Sequence, residues 1–352
     1  MLVEILPSLI TPLAYSMLII SLAMGTTVTM SSHHWLMAWI GLEINTLAII
    51  PLMTKKPHPR SIEAATKYFL TQATASALVL FSALINAWFT GEWYITTVSG
   101  LPSITLSLAL MMKLGLAPLH FWMPEVLQGI SLSTGLILST WQKIAPMTLL
   151  IQMPQHVNIY IMTSFGLLSI FIGGWGGINQ TQMRKIMAFS SIGHLGWMIM
   201  VLKFNPQLTE LNFVLYIMMT AAMFLSLISI NSTKMADIST AWTKTPTLTS
   251  FSLLTLLSLA GLPPLTGFAP KLLIIMELIK QDAIIMASAA MMASLLALFF
   301  YLRLVYIMIM IIAPNTSTSN SLWKMTTKTN SLTAMANTIA LMALPMLPTM
   351  IY

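Results

Sequence analysis

Four ionisable side chains sit deep inside long apolar runs of this sequence. Glu43 lies in WIGLEIN, Lys113 in LMMKLGLAP, Lys143 in STWQKIAP, and Lys271 closes LAGLPPLTGFAPK. An ionised group in the middle of a ~30 Å hydrocarbon layer costs at least about 3 kcal/mol on insertion scales, so it faces a partner or water. Burial disfavours the charged form of any such group and brings its neutral and charged states closer in energy. A proton relay needs that property. The competing reading is a static buried ion pair, or a lysine whose ammonium snorkels to the surface. Two histidines extend the set. His120 follows Lys113 by seven residues, two turns along one face if the helix is continuous, and His194 lies in the polar run SSIGH. Imidazole titrates near neutrality and suits proton transfer; a ring hydrogen-bonded within the bundle is the alternative for both. Two lone histidines make a weak haem case. Lys67 opens KYFLTQA, where snorkelling is the preferred reading, and Glu125 suits a mouth or coupling residue near a span end. Glu277 and Asp282 are expected only to face water.

The elements that must position these groups are membrane spans. Of 352 residues, 57% are hydrophobic and 7% charged, with a mean hydropathy of +0.84. Soluble domains carry about 25% charged residues, so a soluble globular fold is excluded. Runs of about 20 apolar residues recur, and they do not alternate as the strands of a membrane barrel would. The fold class expected is therefore all-α and polytopic. With no cysteine, the chain lacks disulfides, thiolate zinc sites and cysteine-ligated iron–sulfur clusters. The start, MLVEILPSL, has no basic region and is no ordinary signal or transit peptide. A net charge of +7 is scattered over short loops, which does not point to nucleic acid. The 31 methionines fit adaptable packing.

Eleven spans are expected, at 2–28, 34–53, 61–89, 103–127, 134–153, 158–178, 185–203, 208–230, 249–280, 283–312 and 331–352, with Thr/Ser/Asn-rich linkers at 231–248 and 313–330. Placing Lys55, Lys56 and Arg60 inside puts eleven basic residues inside and only Lys203 and Lys280 outside. That bias sets the N-terminus inside and the C-terminus outside. The run GGWGGINQTQ lacks the strand and glycine spacing of a phosphate loop and is read as a tight turn.

Two of the spans contain a repeated breaker. GLAPLHFWMPE (115–125) and GLPPLTGFAPK (261–271) share Gly, Leu, Pro, Leu and Pro at five of eleven positions, 146 residues apart. Proline withholds a helical amide and glycine tolerates the distorted backbone. Carbonyls freed at that depth survive only against protein or a watery cavity. Paired interruptions of this kind mark a transport pathway. Five crossings separate the copies, so they run in opposite directions, as in an inverted repeat. The domains expected are a five-helix repeat over 1–153, its inverted counterpart over 154–312, and a linker with one extra helix over 313–352.

Six segments, WIGLEIN (39–45), KYFLTQA (67–73), MKLGLAPLHFWMPEV (112–126), WQKIAP (141–146), GGWGGINQTQMRKIMAFSSIGHLGW (173–197) and LAGLPPLTGFAPK (259–271), occur in an order that resembles one family. It is that of the antiporter-like proton-channel subunits of respiratory complex I. The methionine content also suits a mitochondrially encoded chain. The resemblance implies two inverted five-helix units, each with an interrupted helix, joined by a hydrophilic axis at mid-membrane. Glu43 and Lys113 match the family's Glu–Lys pair, Lys143 its central lysine, and Lys271 the lysine of the second broken helix. N-terminal spans of the larger members are missing, as in animal versions. Further implications are a core membrane subunit of a redox-driven proton pump in the mitochondrial inner membrane, in contact with neighbouring antiporter-like subunits and lipids. It would hold no cofactor or metal; NADH, FMN, iron–sulfur clusters and ubiquinone would bind to other subunits. A free-standing cation/proton antiporter and a non-pumping structural spacer are the alternatives.

Overall fold

Polar caps and first-turn prolines decide where the apolar runs become helices. The computed structural model describes residues 11–55, 57–153, 157–243, 245–310 and 331–346. Helix α1 (Pro12–Ser31) opens with the Thr11 hydroxyl accepting the Ala14 amide at 3.3 Å, and α2 (Trp35–Met53) with His34 Nδ1 accepting that of Leu36 at 3.2 Å. At α3 (Pro59–Thr90) the Arg60 amide donates to His58 Nδ1, while Ser61 Oγ accepts from the His58 amide. Each cap satisfies one of the amides that a helix start leaves without a partner, and a proline there forfeits none.

The chain divides into two units, Met1–Ile159 and Tyr160–Tyr352. In the first, α1 packs on α2, and α3 packs on α2, α4 (Leu101–Leu114) and α5 (Trp122–Gly129). Helices α6 (Leu132–Ser139) and α7 (Ile144–Gln152) complete it, with α7 against α4 and α1. The second unit comprises α8 (Ile159–Ile178), α9 (Met183–Val201), α10 (Pro206–Ile230), the short α11 (Met235–Ser239), α12 (Pro246–Ala260), α13 (Phe268–Lys280), α14 (Ile284–Met310) and α15 (Ser331–Met342). Helix α10 is its hub, touching α9, α12, α13 and α15. Among the described residues every regular element is helical apart from two isolated bridges, His34–Tyr94 and Gln182–Lys234. Six helices, α1, α2, α3, α8, α10 and α14, are long and apolar enough to cross a membrane.

Three of the expected spans are interrupted, where two were foreseen. The span at 103–127 breaks between α4 and α5, and that at 249–280 between α12 and α13. The span at 134–153, expected to be continuous, also breaks: α6 stops at Ser139, a single 3-10 turn covers Trp141–Lys143, and α7 starts at Ile144. All three helices that follow a break carry proline as their third residue, Pro124, Pro146 and Pro270. No intrahelical bond is lost there, because the first amides of a helix have no partner.

The GGWGG run is not a turn. It lies inside α8, where a side chain on Gly173 would strike the Gly193 backbone of α9 at 2.7 Å. In a bilayer small residues let helix backbones approach, and only the end of the run, past Ile178, leaves the helix. The linker expected at 231–248 holds α11 and a further 3-10 turn, Thr240–Thr243. Residues 2–10, Lys56, Lys244, the 313–330 linker with Lys324 and Lys328, and both chain ends lie outside the described residues.

Candidate functional site

The first break shows how freed carbonyls are satisfied at depth. Helix α4 ends on Gly115, whose φ of 78° is the left-handed conformation that glycine adopts without penalty. The Gly115 amide reaches Met111 and Met112, and the Leu116 amide returns to Met111 at 3.1 Å. Two remote side chains cover carbonyls at this end: Trp122 Nε1 donates to Met112 O at 3.1 Å, and Gln72 Nε2 to Lys113 O at 3.4 Å. Lys113 stands in the last turn of α4, 6% exposed, and its ammonium has no hydrogen-bond partner among the described residues.

Lys143 ends the 3-10 turn of the neighbouring break and is 3% exposed. It lines the same cavity as Lys113, together with Asn45, Thr46, Tyr68, Gln72, Trp122 and Gln142. The cavity measures about 20 Å³, room for about one water molecule. Gln142 Nε2 donates to the Asn45 carbonyl at 3.1 Å and ties this turn to α2. Glu43 is half-buried on α2, accepts the Thr46 hydroxyl at 3.0 Å, and lies within electrostatic reach of Lys113 and Tyr68. Ion pairs among the described residues join Lys67 to Glu63 and Glu125 and Lys280 to Glu277. Glu43 and Lys113 therefore act on each other across space and not as a salt bridge.

His120 does not continue the Lys113 face, because residues 115–121 leave the helix. It sits in the break instead, 5% exposed, with Nδ1 at 3.3 Å from the Pro118 carbonyl and its ring 4.5 Å from that of Phe121. Lys67 and Glu125 meet at 2.6 Å and link α3 to α5, with Glu63 on the same ammonium at 2.6 Å. Both partners of the interhelix pair are substantially exposed, so its net stabilisation is small.

In the second unit, α12 ends on Gly261 with φ 85°, and Lys271 from the first turns of α13 reaches back to donate to Ala260 O at 2.8 Å. Thr266, within this break, donates to the Ala340 carbonyl at the end of α15 at 2.7 Å. Lys271 lines a second cavity of about 20 Å³ with His194, Ser190, Tyr301 and Trp197. The His194 ring lies 5.8 Å from that of Tyr216. Glu277 is largely covered and pairs with Lys280 at 3.8 Å, whereas Asp282 is exposed.

The residues that sequence reasoning passed over are the uncharged ones: Asn45, Gln72 and Gln142 around the first cavity, Tyr301 beside the second. The three amides lie within the runs WIGLEIN, KYFLTQA and WQKIAP. An amide inside an apolar span was the available signal.

Comparison with known proteins places the chain. The family profile described as NADH:quinone oxidoreductase/Mrp antiporter, TM, matches residues 32–297, and that described as NADH dehydrogenase subunit 2 C-terminus matches 298–351. NADH-ubiquinone oxidoreductase chain 2 of Aquarana catesbeiana is 66% identical over 97% of this chain and 99% of its own length. The chain belongs to the NADH-ubiquinone oxidoreductase chain 2 family. The member from Xenopus laevis is 59% identical, over 89% of this chain and 91% of its own. Among solved structures, a chain of respiratory complex I from Thermus thermophilus superposes with a TM-score of 0.81 at 26% identity, covering 94% of this chain and 79% of that one. The resemblance drawn from the six sequence segments is thus that of a chain 2 family member, with the all-α membrane fold of its relatives.

Proposed function

We propose that this chain is a core membrane subunit of the proton-pumping NADH:ubiquinone oxidoreductase and moves protons through a mid-membrane relay of Glu43, Lys113, Lys143 and Lys271. The observation that carries the reading is that two buried lysines from different helices, Lys113 and Lys143, line one water-sized cavity. A proton leaves the Lys113 ammonium for Lys143 and passes on towards Lys271. Glu43 tunes the first step, since a nearby carboxylate stabilises an ammonium without having to touch it. His194, which lines the second cavity with Lys271, and His120, inside the first break, exchange protons with the relay in this reading. Lys67 and Glu125, paired between α3 and α5, serve at its mouth.

The spans broken at the two motif copies belong to inverted five-helix repeats, 1–153 and 154–312, with 313–352 as an addition. The subunit works beside other antiporter-like subunits and lipids in the mitochondrial inner membrane, its N-terminus on the matrix side and its C-terminus facing the intermembrane space. Electrons are handled elsewhere: NADH, FMN, iron–sulfur clusters and ubiquinone bind to other subunits. Identity of 66% to a chain 2 relative favours this reading over a free-standing antiporter. The test is Lys143→Met in the assembled complex. NADH oxidation with a lowered proton-to-electron ratio is expected; a full ratio at normal assembly overturns the assignment.

A further inference from the structure

Asn45 is 2% exposed, and both Nδ2 and Oδ1 are buried without a hydrogen-bond partner among the described residues. An unsatisfied buried amide is costly, and native proteins tolerate few of them. The Lys113 ammonium, orphaned in the same way, lines the same cavity. A cavity of about 20 Å³ holds a water when two or more polar groups face it. Asn45 offers two donors and two acceptor sites, and Lys113 and Lys143 supply the groups at either end of a transfer.

The placement follows from α2. Residues two apart on a helix point about 200° apart, so Glu43 and Asn45 face different sides, and only Asn45 lines the cavity. Space for the amide comes from α1, because a Cβ on Gly25 would collide with the Asn45 side chain. Gln142 binds the Asn45 backbone carbonyl, so the side chain itself can be exchanged without breaking that tie.

We propose that Asn45 is a positioning residue of the relay: its amide holds a water between Lys113 and Lys143, and the proton crosses through that water. The inference rests on the relay reading above. In the step, an N–H bond of the Lys113 ammonium breaks as an O–H bond forms on the water. An O–H bond of the same water breaks as an N–H bond forms on Lys143, and the water is regenerated. Asn45 neither gains nor loses a proton; it fixes where the oxygen sits.

The test compares Asn45→Leu, similar in size but apolar, with Asn45→Ser, which keeps a hydrogen-bonding group, in the assembled complex in sealed vesicles. Asn45→Leu is expected to slow proton translocation about tenfold, the loss of roughly one hydrogen bond's worth of barrier stabilisation, at an unchanged thermal midpoint. Asn45→Ser retains most of the rate. A density map shows an ordered water in the cavity of the native and Ser forms and none in the Leu form. Wild-type pumping by Asn45→Leu alongside a defective Lys143→Met overturns the role of Asn45 and leaves the relay standing. Equal defects in Leu and Ser with a lowered midpoint also overturn it, as those of a structural residue. Full pumping by Lys143→Met removes the relay and Asn45 with it.

Discussion

The two copies of the breaker motif end their first helices alike and employ their lysines differently. Both α4 and α12 stop on a left-handed glycine, and both leave carbonyls to be covered. At the first break uncharged groups do the covering, the Trp122 indole and the Gln72 amide, and the Lys113 ammonium has no hydrogen-bond partner among the described residues. At the second, the Lys271 ammonium is itself the cap, donating to Ala260 O at a helix end that favours cations. One sequence pattern thus yields a lysine free of structural duty and a lysine that holds the backbone together. The difference traces to position: Lys113 precedes its break on α4, whereas Lys271 follows its own on α13.

Substituting the two lysines should give the largest difference between the breaks. Lys271→Met removes a charge-assisted hydrogen bond and leaves Ala260 O exposed to an apolar setting, a loss of about 1.5–3 kcal/mol. The complex should therefore unfold at a lower temperature as well as pump less. Lys113→Met removes a buried amine with no hydrogen-bond partner among the described residues, so pumping falls while the thermal midpoint holds or rises. Equal midpoints for both variants would show that Lys271 is no cap. A smaller effect sharpens the contrast. Alanine at Gly115 or Gly261 meets the same left-handed strain, about 1–2 kcal/mol. At Gly261 the new methyl would also come within 2.7 Å of Lys271 Nζ, while at Gly115 it meets the Trp122 ring at 3.2 Å. Proton translocation assays should find Gly261→Ala several-fold slower than Gly115→Ala, and the reverse order would argue against the assignment of Lys271.

The smallest effect expected lies outside both breaks and serves as their control. Asp237 accepts the Lys234 amide at 2.9 Å and the Thr233 amide at 3.1 Å, and these bonds, that of Lys234 foremost, hold its carboxyl below the usual carboxylate range. A depressed folded value adds stability above the unfolded pKa, near 4, that is lost as pH falls through the folded one. The group is mostly exposed, so solvent screening keeps the gain small. Asp237→Asn should lower the thermal midpoint slightly at pH 7, and the difference should shrink as pH falls through the depressed folded pKa; pumping stays intact.

Spans were legible because length and apolarity suffice to recognise them, and the breaks at Gly115 and Gly261 because glycine and proline coincide there. The break at Thr140 was not, since no glycine marks it; its trace is Pro146, three residues after Lys143, which reads as an ordinary first-turn proline only once the preceding turn is known. GGWGG misled because glycine signals turns in water but close helix packing in lipid. Charged residues at depth announced themselves through their insertion cost. Their meeting in one cavity did not, because Lys113 and Lys143 reach it from separate helices whose packing no spacing encodes. Asn45, Gln72 and Gln142 were missed for a related reason: an amide costs less to insert than an ion and stands out less in the sequence.

The prolines at the third position of α5, α7 and α13 have a consequence for motion. In a continuous helix Pro124, Pro146 and Pro270 would each need an amide they lack, and each ring would clash with the carbonyl four residues back, at His120, Gln142 and Thr266. Healing any of the three gaps by winding one more turn would cost about 3 kcal/mol. They are permanent architecture and not doors. Any gate on this pathway has to be made of side chains and water, swinging between helix ends that stay where they are.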